Sequence, residues 1–406
     1  MRTVLVTGPG GAGRTTVAAA TALAGSRQAA RTLLISADAV PGFPSDTEPA
    51  QVTDALWSVR IDSGAHFRGE LLALQDQLSG VLGLLGGNRL DGEELTELPG
   101  SDQLALLHTL RRAAQGDWSR NGYDLLVVDL PPLREALAVL ALPEQLRRYL
   151  RRLLPQERQA ARALRPMLAQ LAGVPMPAQW LYEAAARRDA ELAGVQALIE
   201  DRATTLRLVA EPGPAAEDAL RTARTGLALH GLRVDAVVAN RVLPRHSPDP
   251  WFAALAAQQE KCLDGWREEW APEAPTVEVA HLGRDPQGPD DLIGLTGGDD
   301  RPAAPVAGPD GGRAEDPWWI EESGAPEAPD GADGILIWCL RLPGAVKKDL
   351  QLVRRGNELL LTVGAFHRIV PLESALRRCT VSGAALTDGV LRVRFTPDPA
   401  LWPRTS

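Results

Sequence analysis

The chain has little of several residues that would otherwise fix its class. Cysteine occurs three times in 406 residues, as Cys262, Cys339 and Cys379, with no C-x-x-C pair. Such spacing excludes a disulfide framework and a thiolate zinc site, and leaves three buried or incidental thiols. Lysine appears only as Lys261, Lys347 and Lys348, the rest of the 43 basic residues being arginine. No apolar run reaches 18 residues, so no integral membrane segment is predicted. A strand begins directly after Met1, leaving no room for a signal peptide, and a cytoplasmic protein is expected.

Net basic charge is also missing. The formal charge is −9, and most of it sits between Asp299 and Asp333, where ten acidic residues face two arginines. The remainder is near neutral, without the basic balance of a nucleic-acid binder. From 296 to 333 the chain also carries six prolines and seven glycines with few aliphatics, the composition of a linker. Trp318-Trp319-Ile320 interrupts it. That apolar island is expected to dock on a flanking domain or on a partner.

What is present is a phosphate-binding loop without its lysine. Thr3-Val4-Leu5-Val6 reads as a strand, Gly8-Pro9-Gly10-Gly11-Ala12-Gly13-Arg14-Thr15-Thr16 follows, and an alanine-rich helix comes next. In G-x-x-x-x-G-K-[ST] the glycines let backbone N–H groups surround phosphate oxygens, the lysine reaches the β- and γ-phosphates, and the hydroxyl binds Mg²⁺. Arg14 occupies the lysine position. Its planar fork keeps the charge but not the compact shape of an ammonium.

Strand-like runs at 3–7, 32–36, 56–61, 124–129, 205–209, 234–239 and 276–279 alternate with helical stretches, which predicts an α/β fold with a mostly parallel sheet. Two blocks with helical apolar spacing, about 66–114 and 143–201, interrupt the alternation as a helical subdomain. The second is studded with arginines, among them Arg147, Arg148, Arg151, Arg152, Arg158, Arg162 and Arg165, read as a solvated face or a surface for an anionic partner.

Four blocks in order then resemble the ArsA-type ATPases, which include arsenite-pump ATPases and targeting factors for tail-anchored membrane proteins. They are the P-loop, Leu33-Leu34-Ile35-Ser36-Ala37-Asp38, Leu126-Val127-Val128-Asp129-Leu130-Pro131-Pro132 and Val237-Val238-Ala239-Asn240-Arg241-Val242-Leu243-Pro244, within residues 1–295. The resemblance implies a P-loop NTPase that binds ATP or ADP with Mg²⁺ and works as a homodimer or as a pair with an ArsA-like paralogue. It implies phosphate contacts from Gly8, Gly10, Gly11, Ala12, Gly13, Arg14, Thr15 and Thr16. Thr15 and Asp129 fall at the Mg²⁺ positions, Asp38 at the aspartate that orients the attacking water, Asn240 at the asparagine that reads adenine, and Glu211-Pro212 at a nucleotide-side loop. The lysine that reaches across the family's dimer falls on Pro9. The switch residues Pro-Ala-His and Thr-Gly-His become Ala39-Val40-Pro41 and Leu133-Arg134-Glu135. With two γ-phosphate cations altered or lost, nucleotide binding is expected to survive and hydrolysis to be weak or absent.

Arsenite chemistry needs soft thiolates, and the cysteines match no such positions. Met167 and Met176, with Val174, Trp180 and Leu181 nearby, suit either core packing or an apolar client groove. After the linker, runs at 335–340, 350–353, 358–363 and 390–395 predict a small β-sandwich over 334–398. Leu342-Pro343-Gly344, Gly356-Asn357-Glu358-Leu359 and Gly389-Val390-Leu391 resemble the α-crystallin domain of small heat-shock proteins, in the form appended to some ArsA-type ATPases. Two functions follow as expectations: a nucleotide-binding, chaperone-like factor for an apolar client, or a pseudo-ATPase scaffold with a vestigial P-loop.

Overall fold

The computed structural model describes residues 1–28, 30–77, 89–154, 178–295, 312–323 and 335–401, and of 178–181 the backbone alone. The elements run β1 (Arg2–Thr7), α1 (Arg14–Arg27), β2 (Thr32–Ser36), β3 (Ala50–Thr53), β4 (Leu56–Arg60), α2 (Ser63–Gln77), α3 (Ser101–Ala114), β5 (Leu125–Asp129), α4 (Leu133–Leu153), α5 (Ala178–Ile199), β6 (Thr204–Ala210), α6 (Pro214–His230), β7 (Val234–Val242), α7 (Pro250–Trp270), β8 (Thr276–Ala280) and α8 (Pro289–Leu295). The second set of strands is β9 (Trp318–Ser323), β10 (Ile335–Arg341), β11 (Leu350–Arg355), β12 (Glu358–Val363), β13 (Phe366–Pro371), β14 (Cys379–Thr387) and β15 (Val390–Pro397).

An eight-stranded sheet of order β3-β4-β2-β5-β1-β6-β7-β8 organises the first part of the chain. The central pairs β1–β5, β1–β6, β2–β4 and β2–β5 are parallel. Parallel strands are covered on both faces, which is why β1, β2 and β5 are buried at every position around the apolar runs Val4–Val6, Leu33–Ile35 and Leu125–Val128. The edge strand β3 pairs antiparallel to β4 with alternating burial. The sequence reading missed it, because Ala50-Gln51-Val52-Thr53 carries one large apolar side chain.

The second helical insertion, expected from 143, starts earlier: α4 begins at Leu133 and continues through Pro143. Proline usually ends or opens a helix. Here a buried face that includes Ala136, Leu137, Leu140 and Pro143 itself sustains the helix across the lost hydrogen bond. Leu78, Val81, Leu82, Leu84 and Leu85 of the first insertion, and Arg158, Arg162, Arg165, Met167, Val174 and Met176 of the second, lie outside the described residues.

The chain falls into two compact units: Met1–Ala210, Ala236–Pro244 and Val277–Arg313 in the first, and Glu211–Asp235, Arg245–Thr276 and Ala314–Ser406 in the second. The second therefore holds α6 and α7 together with a β-sandwich of two antiparallel sheets, β14-β15-β10-β9 and β11-β12-β13. Trp338, Leu340, Leu359, Leu361, Val393 and Phe395 form its core, and Leu229 of α6 joins them. Thr225 donates to the Pro343 carbonyl at 2.6 Å and Arg368 to the Leu229 carbonyl at 2.8 Å, so α6 is tied to the sandwich by backbone acceptors as well as by packing.

The tryptophan island, expected within a linker, is strand β9. It pairs antiparallel with β10, Trp318 opposite Leu340 and Ile320 opposite Trp338. Alternation explains its composition: Trp318 packs with its ring 6.1 Å from that of Trp338 and under the Arg368 guanidinium, while Trp319 points outward and donates to Glu321 at 2.8 Å. Also missed at the sequence level were β13 and β14; most of β14 is exposed, chiefly Ser, Ala and Thr, without the apolar alternation that marks a strand.

Candidate functional site

The loop after β1 is held by close backbone approach. A Cβ on Gly8 would fall 1.8 Å from the Val209 carbonyl oxygen of β6, so the position accepts glycine alone. Gly8 also receives the Leu133 amide at 3.0 Å, which joins the loop to the start of α4. Gly13, at φ 83°, is the N-cap of α1, and no side chain caps that helix end. No acidic residue lies in the first turn. The terminal N–H groups and the positive end of the helix dipole are thus left to a ligand. At Gly10 and Gly11 a Cβ would meet nothing within 4 Å, so both face open space.

Across from the loop, at the end of β5, stands Asp129. Thr15 Oγ1 donates to its Oδ2 at 2.6 Å, and Ser36 Oγ, from the end of β2, reaches the same oxygen at 2.9 Å. The carboxylate is 5% exposed, and Oδ1 is buried without a hydrogen-bond partner. Burial pushes the Asp129 carboxyl up from its ordinary value, against the hydrogen bonds of Thr15 and Ser36 and the charge of Arg14. Asp38 Oδ2 lies 3.4 Å from Thr15 Oγ1. A buried, unpaired carboxylate oxygen beside a hydroxyl and a second carboxylate is an all-oxygen donor set that fits Mg²⁺. Thr15, Thr16 and Asp38 line a cavity of about 170 Å³ closed by Ala39, Val40, Pro41, Pro286, Gly288 and Leu292.

The structure brings Gly8, Gly10, Gly11, Ala12, Gly13, Arg14, Thr15, Thr16, Asp38 and Asp129 to one place, the ends of β1, β2 and β5 and the start of α1. Three placements add to the sequence reading. Asn240 is buried, and its Nδ2 donates to the Ala12 carbonyl at 2.8 Å, which makes it a brace of the loop. Arg14 donates to the Leu130 carbonyl, at the end of β5. Arg241, at φ 57°, reaches the Gly11 carbonyl at 3.1 Å and lies 3.9 Å from Asp285. Neither Arg241 nor Ser36 was singled out from the sequence, although both stand in the quoted blocks. Ser36 also exchanges contacts with Asp38, its hydroxyl 3.0 Å from the Asp38 carbonyl and 3.1 Å from the Asp38 amide, so it couples Asp38 to Asp129. Glu211 and Pro212 directly follow β6 and belong to the second unit.

Residues 1–293 match the family model of the anion-transporting ATPases, the ArsA type. The chain belongs to that family. Residues 333–395 match the HSP20-like domain found in ArsA. An uncharacterized protein of Streptomyces coelicolor is 55% identical over 411 residues, the whole of both chains. Protein Rv2184c of Mycobacterium tuberculosis is 29% identical, with 99% of this chain and 97% of that one covered. At 25% identity, over 93% of this chain and 95% of the other, stands an Aquifex aeolicus protein named "Putative arsenical pump-driving ATPase 1". The ArsA-type fold and the appended HSP20-like domain of this chain are therefore those the motifs suggested. Among the described residues no helix is long and apolar enough to cross a membrane.

Proposed function

We propose that this ArsA-family chain is a nucleotide-binding factor with weak or absent hydrolysis of its own, acting as a dimer on an apolar client or beside an active paralogue. The single observation that carries the reading is the uncapped loop and helix end facing a buried, unpaired Asp129 oxygen next to Thr15. Backbone N–H groups of the loop would receive the phosphates of ATP or ADP, and Thr15 and Asp129 would hold Mg²⁺, which supplies charge neutralisation between the phosphates. Asp38 is within reach of Thr15 and suits the orientation of water. Charge stabilisation is what is short. Pro9 has no cation, and the Arg14 guanidinium is engaged with the Leu130 carbonyl. Phosphoryl transfer depends on such cations, and one trans-acting cation is worth about 10³–10⁵ in rate. Exposed Leu90, Leu98, Leu104, Tyr149 and Leu153, in and beside the helical insertions, support an apolar client.

The engaged Arg14 also favours a second reading, a scaffold whose loop no longer takes nucleotide. Calorimetric titration with ADP and ATP, with and without Mg²⁺, separates the two. Binding strengthened by Mg²⁺, with a melting temperature that rises as ligand saturates the native state, supports the first. No heat and an unmoved melting temperature support the scaffold.

A further inference from the structure

Away from the P-loop, the helical insertions bring together side chains that the nucleotide reading does not use. His66 and Glu70 stand one helical turn apart on α2, at the i, i+4 spacing that puts both on one face. His108 comes from α3, its ring 4.6 Å from that of His66. We propose that His66, Glu70 and His108 bind a divalent transition-metal ion, with zinc as its best fit, at the wall of the helical cavity.

Three features carry the assignment. The ligand atoms of the three residues all lie within 4.8 Å of one another, the one such cluster among the described residues. A tetrahedral zinc site separates its ligand atoms by roughly 3.3 Å, given bonds near 2.0 Å, so small side-chain rotations complete the set. The chain has six histidines, and the rings of two of them meet here, tilted by 39° to each other, an arrangement that apolar packing alone would not select. Finally, Glu70 is already oriented: Arg188 Nη2 holds its Oε2, leaving Oε1 for an ion, and Arg188 Nη1 is anchored at 2.9 Å on Glu191. A carboxylate ligand fixed by an outer partner is the usual architecture of a metal site.

Ligand type selects the ion. Two imidazoles and one carboxylate suit zinc and its neighbours in the first transition row, whereas Mg²⁺ prefers oxygen alone and soft metalloids need thiolates, which the cluster lacks. Three protein ligands leave a fourth position for water or an added ligand. The cluster borders a cavity of about 320 Å³ whose other walls include Phe67, Leu104, Leu107, Leu146, Leu150 and Val195.

Chelator-stripped full-length protein, free of nucleotide, is titrated with Zn²⁺ by calorimetry and with Co²⁺ by visible absorption. The expected result is one ion per chain, cobalt bands of a four- or five-coordinate nitrogen and oxygen site, and at least about 100-fold weaker binding in each of His66→Ala and His108→Ala. X-ray absorption at the zinc edge of the unmutated protein gives an independent reading if either variant fails to fold. Two imidazoles without sulfur support the site. No binding, sulfur in the coordination shell, or affinity unchanged in the folded variants would overturn it.

Discussion

Asn240, at the end of β7, donates its side-chain amide to the Ala12 carbonyl in the P-loop at 2.8 Å, across 228 residues of sequence. The bond is buried, so Asn240→Ala leaves a carbonyl without its partner, at a cost of about 1–2 kcal/mol. The loop should loosen and nucleotide affinity should fall. Tripolyphosphate, which has no base, tells the two roles of this asparagine apart. If Asn240 acts through the loop, the variant weakens tripolyphosphate and ATP alike; if it acts by reading adenine, only ATP binding suffers.

Gly13 meets the same amide from the other side. A Cβ there would lie 2.3 Å from Asn240 Nδ2, and the backbone sits at φ 83°. Gly13→Ala therefore combines a steric clash with a left-handed conformation unfavourable for alanine, a loss of roughly 1–3 kcal/mol. Denaturant unfolding should show that loss, and calorimetry should show no ADP binding even where the variant is folded.

Arg14→Lys tests the cation deficit. Lysine restores the residue that the loop motif calls for, yet Pro9 still supplies no charge. ATP turnover should stay close to that of the unmutated protein, while ADP affinity changes by no more than a few fold. Strong recovery from this one change would mean that the Arg14 fork alone suppresses hydrolysis.

The parallel sheet was legible because strands buried on both faces, such as Leu125–Asp129, announce themselves as apolar runs ending in a functional carboxylate. The P-loop was legible from its glycines. Asn240 was found as a residue but not as a brace, since its partner is a backbone carbonyl, which leaves no trace in side-chain identity. Ser36 was equally hidden: one hydroxyl that links Asp129 to Asp38 looks like any strand-end serine. The island at Trp318 signalled burial without naming its partner, because strand pairing is decided by the register with β10.

His230, at the end of α6, offers a pH test. Burial, with the nearby charges of Arg368 and His367, pushes its imidazole down from 6.5 to about 3. The unfolded chain binds this proton below pH 6.5 and the folded chain only near 3, so stability is whole above 6.5 and falls as pH drops through that window. The slope is at most about 1.4 kcal/mol per pH unit, and less here because the side chain is only half-buried. Between pH 7 and 4.5 the melting temperature should fall, and His230→Gln should flatten that fall. Equal slopes in the two proteins would assign acid sensitivity to other groups.

Gly226 tests the packing of α6 on the sandwich. A Cβ at this position would come 2.7 Å from the Phe366 ring, inside van der Waals contact, so the helix approaches β13 only because residue 226 has no side chain. An aromatic ring in a packed core cannot swing aside as a long flexible chain can, and Gly226→Ala should cost about 1–3 kcal/mol by overpacking. Phe366→Leu should cost some stability alone but recover part of the loss when combined with Gly226→Ala, since the pair shares one contact. Hydrogen exchange gives the local reading: β13 amides should exchange faster in Gly226→Ala than in the unmutated chain, and β5 amides, in the other compact unit, should not. Additive losses with no change at β13 would mean that α6 and the sandwich hold together through Arg368, Thr225 and Leu229, with little contribution from the close approach at Gly226.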